Sequence, residues 1–65
     1  MINIISQVIR EKRMSQAELA RMVGVKREYI NRIIHQKITP TVPLGMRIAG
    51  ALGVSVEDLF ILEEE

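Results

Sequence analysis

The segment Lys26-Arg-Glu-Tyr-Ile-Asn-Arg32 gathers side chains able to read the edges of nucleic-acid bases. Ile30, Ile33 and Ile34 take one side at helical spacing. That leaves Arg27, Glu28, Asn31 and Arg32 on the opposite side, with Lys26 and Tyr29 on its flanks. Arginine forks onto guanine O6 and N7, asparagine pairs with adenine, and glutamate accepts from cytosine N4. Solvated helix faces are commonly charged, so these residue types alone do not select the reading. Placement does: the face follows a short turn and lies in the basic part of the chain.

Other chemistry is thinly supplied. His35 is the single histidine and cysteine is absent, so a nucleophilic triad has one candidate base and little to orient it. Ser15 and Ser55 read as helix caps, and Ser6 lies on a polar face. No Gly-rich phosphate loop and no convergent metal-ligand set occurs. The expectation is a binding protein rather than an enzyme, without cofactor or metal, and with no small-molecule ligand within this chain.

The elements that must hold the reading face are helical throughout. Ile5, Val8, Ile9 and Lys12 predict a first helix over residues 2–12. Ser15-Gln-Ala-Glu18 fits a capping box that opens a second helix at Gln16, with Leu19, Ala20 and Val23 inward. Gly24 ends it, and only Gly24-Val25-Lys26 separates it from the third helix, so the two must cross steeply. His35 falls in the last turn of that third helix, where a cation suits the macrodipole. Thr41 caps a fourth helix with Pro43 in its first turn and Met46, Ala49 and Leu52 inward, ending at Gly53. Gly45 and Gly50 inside it suggest close packing. Ser55 opens a short fifth helix carrying Val56, Leu59 and Phe60. Nothing reads as a strand pair.

Sixty-five residues allow one small domain, and 48% hydrophobic with 3% aromatic residues makes an aliphatic core. The uncharged stretches, residues 1–9 and 48–56 among them, fall short of the roughly 20 residues of a membrane span. No basic region precedes an apolar stretch at the N-terminus, so a reducing cytoplasm is expected. The net charge of +1 conceals a split. Residues 10–47 hold all nine Lys and Arg against three Glu, net +6, and residues 48–65 hold five acids and no base, net −5. Such asymmetry suits a polyanion-binding face and an end that avoids it.

Met14-Ser-Gln-Ala-Glu-Leu-Ala-Arg-Met-Val-Gly-Val25, Tyr29-Ile-Asn-Arg-Ile33 and Ile48-Ala-Gly-Ala-Leu-Gly-Val-Ser-Val-Glu-Asp-Leu-Phe60 together resemble the phage repressor and Cro-type helix-turn-helix family. The likeness covers nearly the whole chain. It implies an all-α, five-helix bundle of the lambda-repressor-like type over residues 1–62, with 63–65 an acidic tail. It further implies a prokaryotic or phage-encoded transcriptional regulator that binds double-stranded DNA operators as a homodimer. On the family's pattern Gln16 contacts phosphate, and Arg27, Glu28 and Arg32 occupy base-reading positions. Lys26 and Tyr29 flank them, while His35, Lys37 and Thr39 grip the next stretch of backbone. Phe60, Ile61 and Leu62 form an apolar cluster near the terminus and are the candidate dimer surface; Phe60 could instead close the core.

Three departures from the family matter. A frequent buried Arg–Glu pair between the first and third helices corresponds to Ile9 and Ile34, which are expected to touch. Gln36 stands where glycine is common, which suggests a rebuilt turn. Lys26 stands where a hydroxyl usually caps the third helix, and lysine cannot accept the orphan amides. The competing reading is a protein-interaction module on the same fold, such as the antitoxin partner of a toxin, favoured by Glu28 and the near-zero net charge.

Overall fold

Local capping chemistry sets the helix boundaries in the computed structural model, which describes residues 2–61. The elements run β1 (Ile2–Asn3), α1 (Ile5–Glu11), α2 (Gln16–Val23), α3 (Arg27–Ile34), α4 (Val42–Leu52), α5 (Val56–Leu59) and β2 (Phe60–Ile61). At α2 the capping box is complete: Glu18 N–H donates to Ser15 Oγ (3.0 Å) and Ser15 N–H donates to Glu18 Oε1 (3.3 Å). Thr41 and Ser55 cap α4 and α5 through Leu44 N–H and Asp58 N–H. Pro43 sits in the first turn of α4, where its missing amide hydrogen costs no helical bond.

Aliphatic side chains from every helix meet in one core. Ile5, Leu19, Ile30, Ile33, Ile48, Leu52 and Leu59 are its fully buried members. Among the described residues no polar or charged side chain is buried. Ile9 is buried in this core, while Ile34 packs against its edge half-buried. Both positions are thus apolar and both face the one core, so neither brings a charge that would need a buried partner.

The structure departs from the sequence reading in several places. β1 and β2 form an antiparallel pair, Ile2 opposite Ile61 and Asn3 opposite Phe60, so α1 starts at Ile5 rather than residue 2 and ends at Glu11. Phe60 belongs to β2 and is buried, closing the core rather than extending α5. The inward stripe of α4 is Leu44, Gly45, Ile48, Ala49 and Leu52. Met46 lies about 130° round the helix from the centre of that stripe and is exposed, as is Val56. Gly45 is buried beneath the Phe60 ring, where an added Cβ would stand 3.7 Å from Cε2, whereas Gly50 faces open space. Neither glycine is therefore demanded by close helix packing: a methyl at Gly45 would make an ordinary contact with Phe60, and one at Gly50 would meet nothing within 4 Å. The turn after α3 is not rebuilt: Gln36 takes the left-handed conformation (φ 61°) that glycine usually supplies. Leu62 and the acidic run 63–65 lie outside the described residues.

Candidate nucleic-acid interface

α2 and α3 pack together across the three-residue turn, and the reading face lies on the outer side of α3. Gly24 ends α2 at φ 80°, and Val25 N–H closes the turn onto the Ala20 carbonyl at 3.0 Å. Lys26 is the N-cap residue of α3, extended, with no side-chain bond to the first turn. The first amides of α3 are thus left to solvent or an anion. Ile30 and Ile33 anchor the helix, and the opposite side is free.

Arg27, Glu28 and Arg32 are exposed, Tyr29 is half-buried, and Lys26 stands exposed at the helix start. Lys26, Glu28, Tyr29 and Arg32 line a shallow concavity of about 150 Å³ along one flank of α3. The lining thus combines two cations, one carboxylate and the partly apolar ring of Tyr29. His35, Lys37 and Thr39 are exposed in the segment that leaves α3, continuing the polar surface toward α4.

Asn31 and Gln16 are brought together. Asn31 Nδ2 donates to Gln16 Oε1 at 3.2 Å, and both side chains are half-buried. The bond ties the middle of α3 to the first residue of α2, fifteen positions earlier. Asn31 is therefore engaged inside the protein, unlike the arginines beside it. Sequence reasoning missed a second such tie. Asn3 Nδ2 donates to the Ile33 carbonyl at 2.8 Å, from thirty residues away in sequence. The only local signal was an asparagine two positions before an apolar helix start.

A short helix held across a tight turn by a second helix, with its outward face basic and polar, defines a helix-turn-helix DNA-binding fold. The family model described as helix-turn-helix matches residues 5–59, and the chain belongs to that family, of the Cro and C1 type. The family is one of DNA-binding proteins rather than enzymes.

The chain is 42% identical over 52 residues to an uncharacterised HTH-type transcriptional regulator of Archaeoglobus fulgidus, covering 80% of this chain and 73% of that protein. It is 43% identical over 63 residues to an uncharacterised HTH-type transcriptional regulator of Methanothermobacter thermautotrophicus, covering 89% and 91%. The crystal structure of the hypothetical transcription factor NHTF from Neisseria superposes with a TM-score of 0.78 at 28% identity. That match covers 83% of this chain and 61% of the Neisseria chain. Among the described residues, no helix is long and apolar enough to cross a membrane.

Proposed function

We propose that this chain is a transcriptional repressor that binds a two-fold symmetric DNA operator as a homodimer, with α3 of each copy in the major groove. The observation that carries this reading is the exposed Arg27, Glu28 and Arg32 on the outer face of α3, directly after the turn from α2. Arg27 and Arg32 suit guanine, Glu28 suits cytosine, and Asn31 suits adenine once its amide is released from Gln16. Gln16, Lys26, Tyr29, His35, Lys37 and Thr39 grip the phosphates, which set register and orientation. Occupying an operator excludes polymerase without any cofactor. Residues 1–62 are assigned to the DNA-binding unit, and the acidic run 63–65 carries charge that phosphate would repel. The place of action is the prokaryotic cytoplasm, on the nucleoid or on phage DNA.

The homodimer needs a self-complementary face. Phe60 is only 8% exposed, which leaves from the terminal cluster Ile61, exposed on β2, and Leu62, which lies outside the described residues. A stronger face lies on α4. Val42 (75% exposed) helps wall a groove of about 210 Å³ that Pro40, Gly45, Val56 and Phe60 also line, and Met46 (60% exposed) follows four residues on along α4. A knob beside a hole on one surface is what a two-fold contact between copies requires.

Selection of bound duplexes from a random library tests the reading, because it yields the site, its symmetry and its half-site spacing together. Binding should weaken steeply with salt. Arg27→Ala should relax base choice at one position for about 1–3 kcal/mol, and Lys37→Ala should weaken all duplexes alike while lowering the salt slope by about 1. No duplex enrichment, or salt-insensitive binding, would move the assignment to a protein-interaction module, for which Glu28 in the reading face is the supporting feature.

A further inference from the structure

Asn3 sits where three elements converge. Its backbone pairs with Phe60 in the β1–β2 ladder, and the next amide, Ile4 N–H, donates to the Leu59 carbonyl at 3.0 Å. Its Oδ1 accepts from Ile5 N–H at 3.3 Å, at the start of α1, where the N-cap residue Ile4 offers no side-chain acceptor. Its Nδ2 donates to the Ile33 carbonyl in the last turn of α3. A single carboxamide thus places its acceptor at the positive end of one helix and its donor at the negative end of another.

α3 is otherwise held by apolar contacts, which are strong but non-directional. Its directional side-chain ties among the described residues are Asn31 to Gln16 near the middle and Asn3 near the C-terminal end. Two ties at different heights fix both the roll and the tilt of a helix. Base reading depends on that precision, since functional side chains must be held within about 0.5 Å of their productive geometry.

We propose that Asn3 is a positioning residue for DNA reading: it clamps the end of α3 to the paired chain ends, so that the β1–β2 clip sets the angle at which α3 meets the groove. This rests on the DNA-reading function proposed above. Asn3 itself touches no base. Its loss should therefore harm selectivity more than grip.

Two variants separate the clamp from the cap on α1. Asn3→Ser keeps an acceptor near Ile5 N–H but is too short to reach the Ile33 carbonyl, and it adds no charge. Asn3→Asp keeps the length and the cap, but a carboxylate cannot donate to that carbonyl. In the full chain, well below its melting temperature, Asn3→Ser should bind the library-selected duplex about fivefold more weakly, the worth of one such hydrogen bond. Affinity for a random duplex should stay unchanged. Both variants should speed amide exchange at Gln36 and Lys37, which close the last turn of α3.

An unchanged ratio of selected to random affinity in Asn3→Ser, or equal losses on both duplexes, would overturn the positioning role. A wild-type chain that prefers no duplex would instead overturn the DNA-reading function. In that case unchanged exchange at Gln36 and Lys37 would remove the clamp as well, and faster exchange would retain it as a determinant of how α3 is held.

Discussion

Gln36 and Arg13 hold the backbone in the left-handed region at φ 61° and 55° without being glycine. Each follows a helix and lets the next amide fold back: Lys37 N–H reaches the Arg32 carbonyl at 2.9 Å, and Met14 N–H reaches the Ile9 carbonyl at 2.8 Å. Gly24 and Gly53 do the same work after α2 and α4 without steric cost. The two non-glycine turns carry strain of about 1–2 kcal/mol each, offset by the carbonyls they satisfy and by keeping a side chain at the site. At position 36 that side chain adjoins His35 and Lys37 in the segment proposed to meet phosphate. Gln36→Gly should therefore stabilise the fold by about 0.5–1 kcal/mol, net of glycine's greater chain entropy. The melting temperature should rise by several degrees, read by circular dichroism. A lower melting temperature would mean that the glutamine contributes contacts exceeding the strain.

At the scale of elements, what was legible in the sequence was local. Ser15 with Glu18, Thr41 with Leu44, and Gly24 and Gly53 each act within a few residues, so the starts and stops of α2 and α4 follow from chemistry visible in a short window. The β1–β2 pair is invisible to such a window: each strand has two residues, and Ile2 finds its partner at Ile61, across the whole chain. Asn3 escaped notice for the same reason, since its value comes from Ile33. Spacing of three and six from Ala49 and Leu52 puts Met46 on an apparent helical face, yet the true stripe runs through Leu44, Ile48 and Leu52 and is widened by the small Gly45. In the site, the exposed Arg27, Glu28 and Arg32 were readable from the inward isoleucines, whereas the bond from Asn31 to Gln16 depends on how two helices meet. The Ile9 and Ile34 positions join these levels, with Ile34 only half-buried against the core. Ile34→Glu should cost about 2 kcal/mol, below the 3–5 kcal/mol of a fully buried unpaired charge, as measured by chemical denaturation. A shift under 0.5 kcal/mol, the ordinary range for surface substitutions, would show that α3 packs without this side chain.

Across the whole molecule, the charge split falls on separate elements. Arg27, Arg32 and Lys37 belong to α3 and the segment after it, whereas Glu57 and Asp58 sit in the first turn of α5, where they also suit the helix dipole. One copy presents only eight residues of α3, about 12 Å of helix, which spans few base pairs. In the proposed homodimer a second copy would double the sequence read and make a symmetric operator the natural target. The proposed contact sets Met46 of one copy into the groove that Val42, Gly45 and Val56 of the other help line, a small apolar patch on a molecule of 4628 Å² total surface. A patch of that extent gives a weak dimer, so association should be strongest on DNA, where both half-sites hold the copies together. Met46→Glu puts like charges across the two-fold axis while leaving the exposed helix position otherwise undisturbed. The variant should keep its melting temperature, sediment as a monomer at concentrations where the parent self-associates, and lose affinity for a two-half-site duplex by at least tenfold. Binding to a single half-site should not change. Parallel losses on both duplexes would place Met46 in DNA contact instead, and unchanged sedimentation would transfer the dimer contact to the exposed Ile2 and Ile61 of the β1–β2 pair.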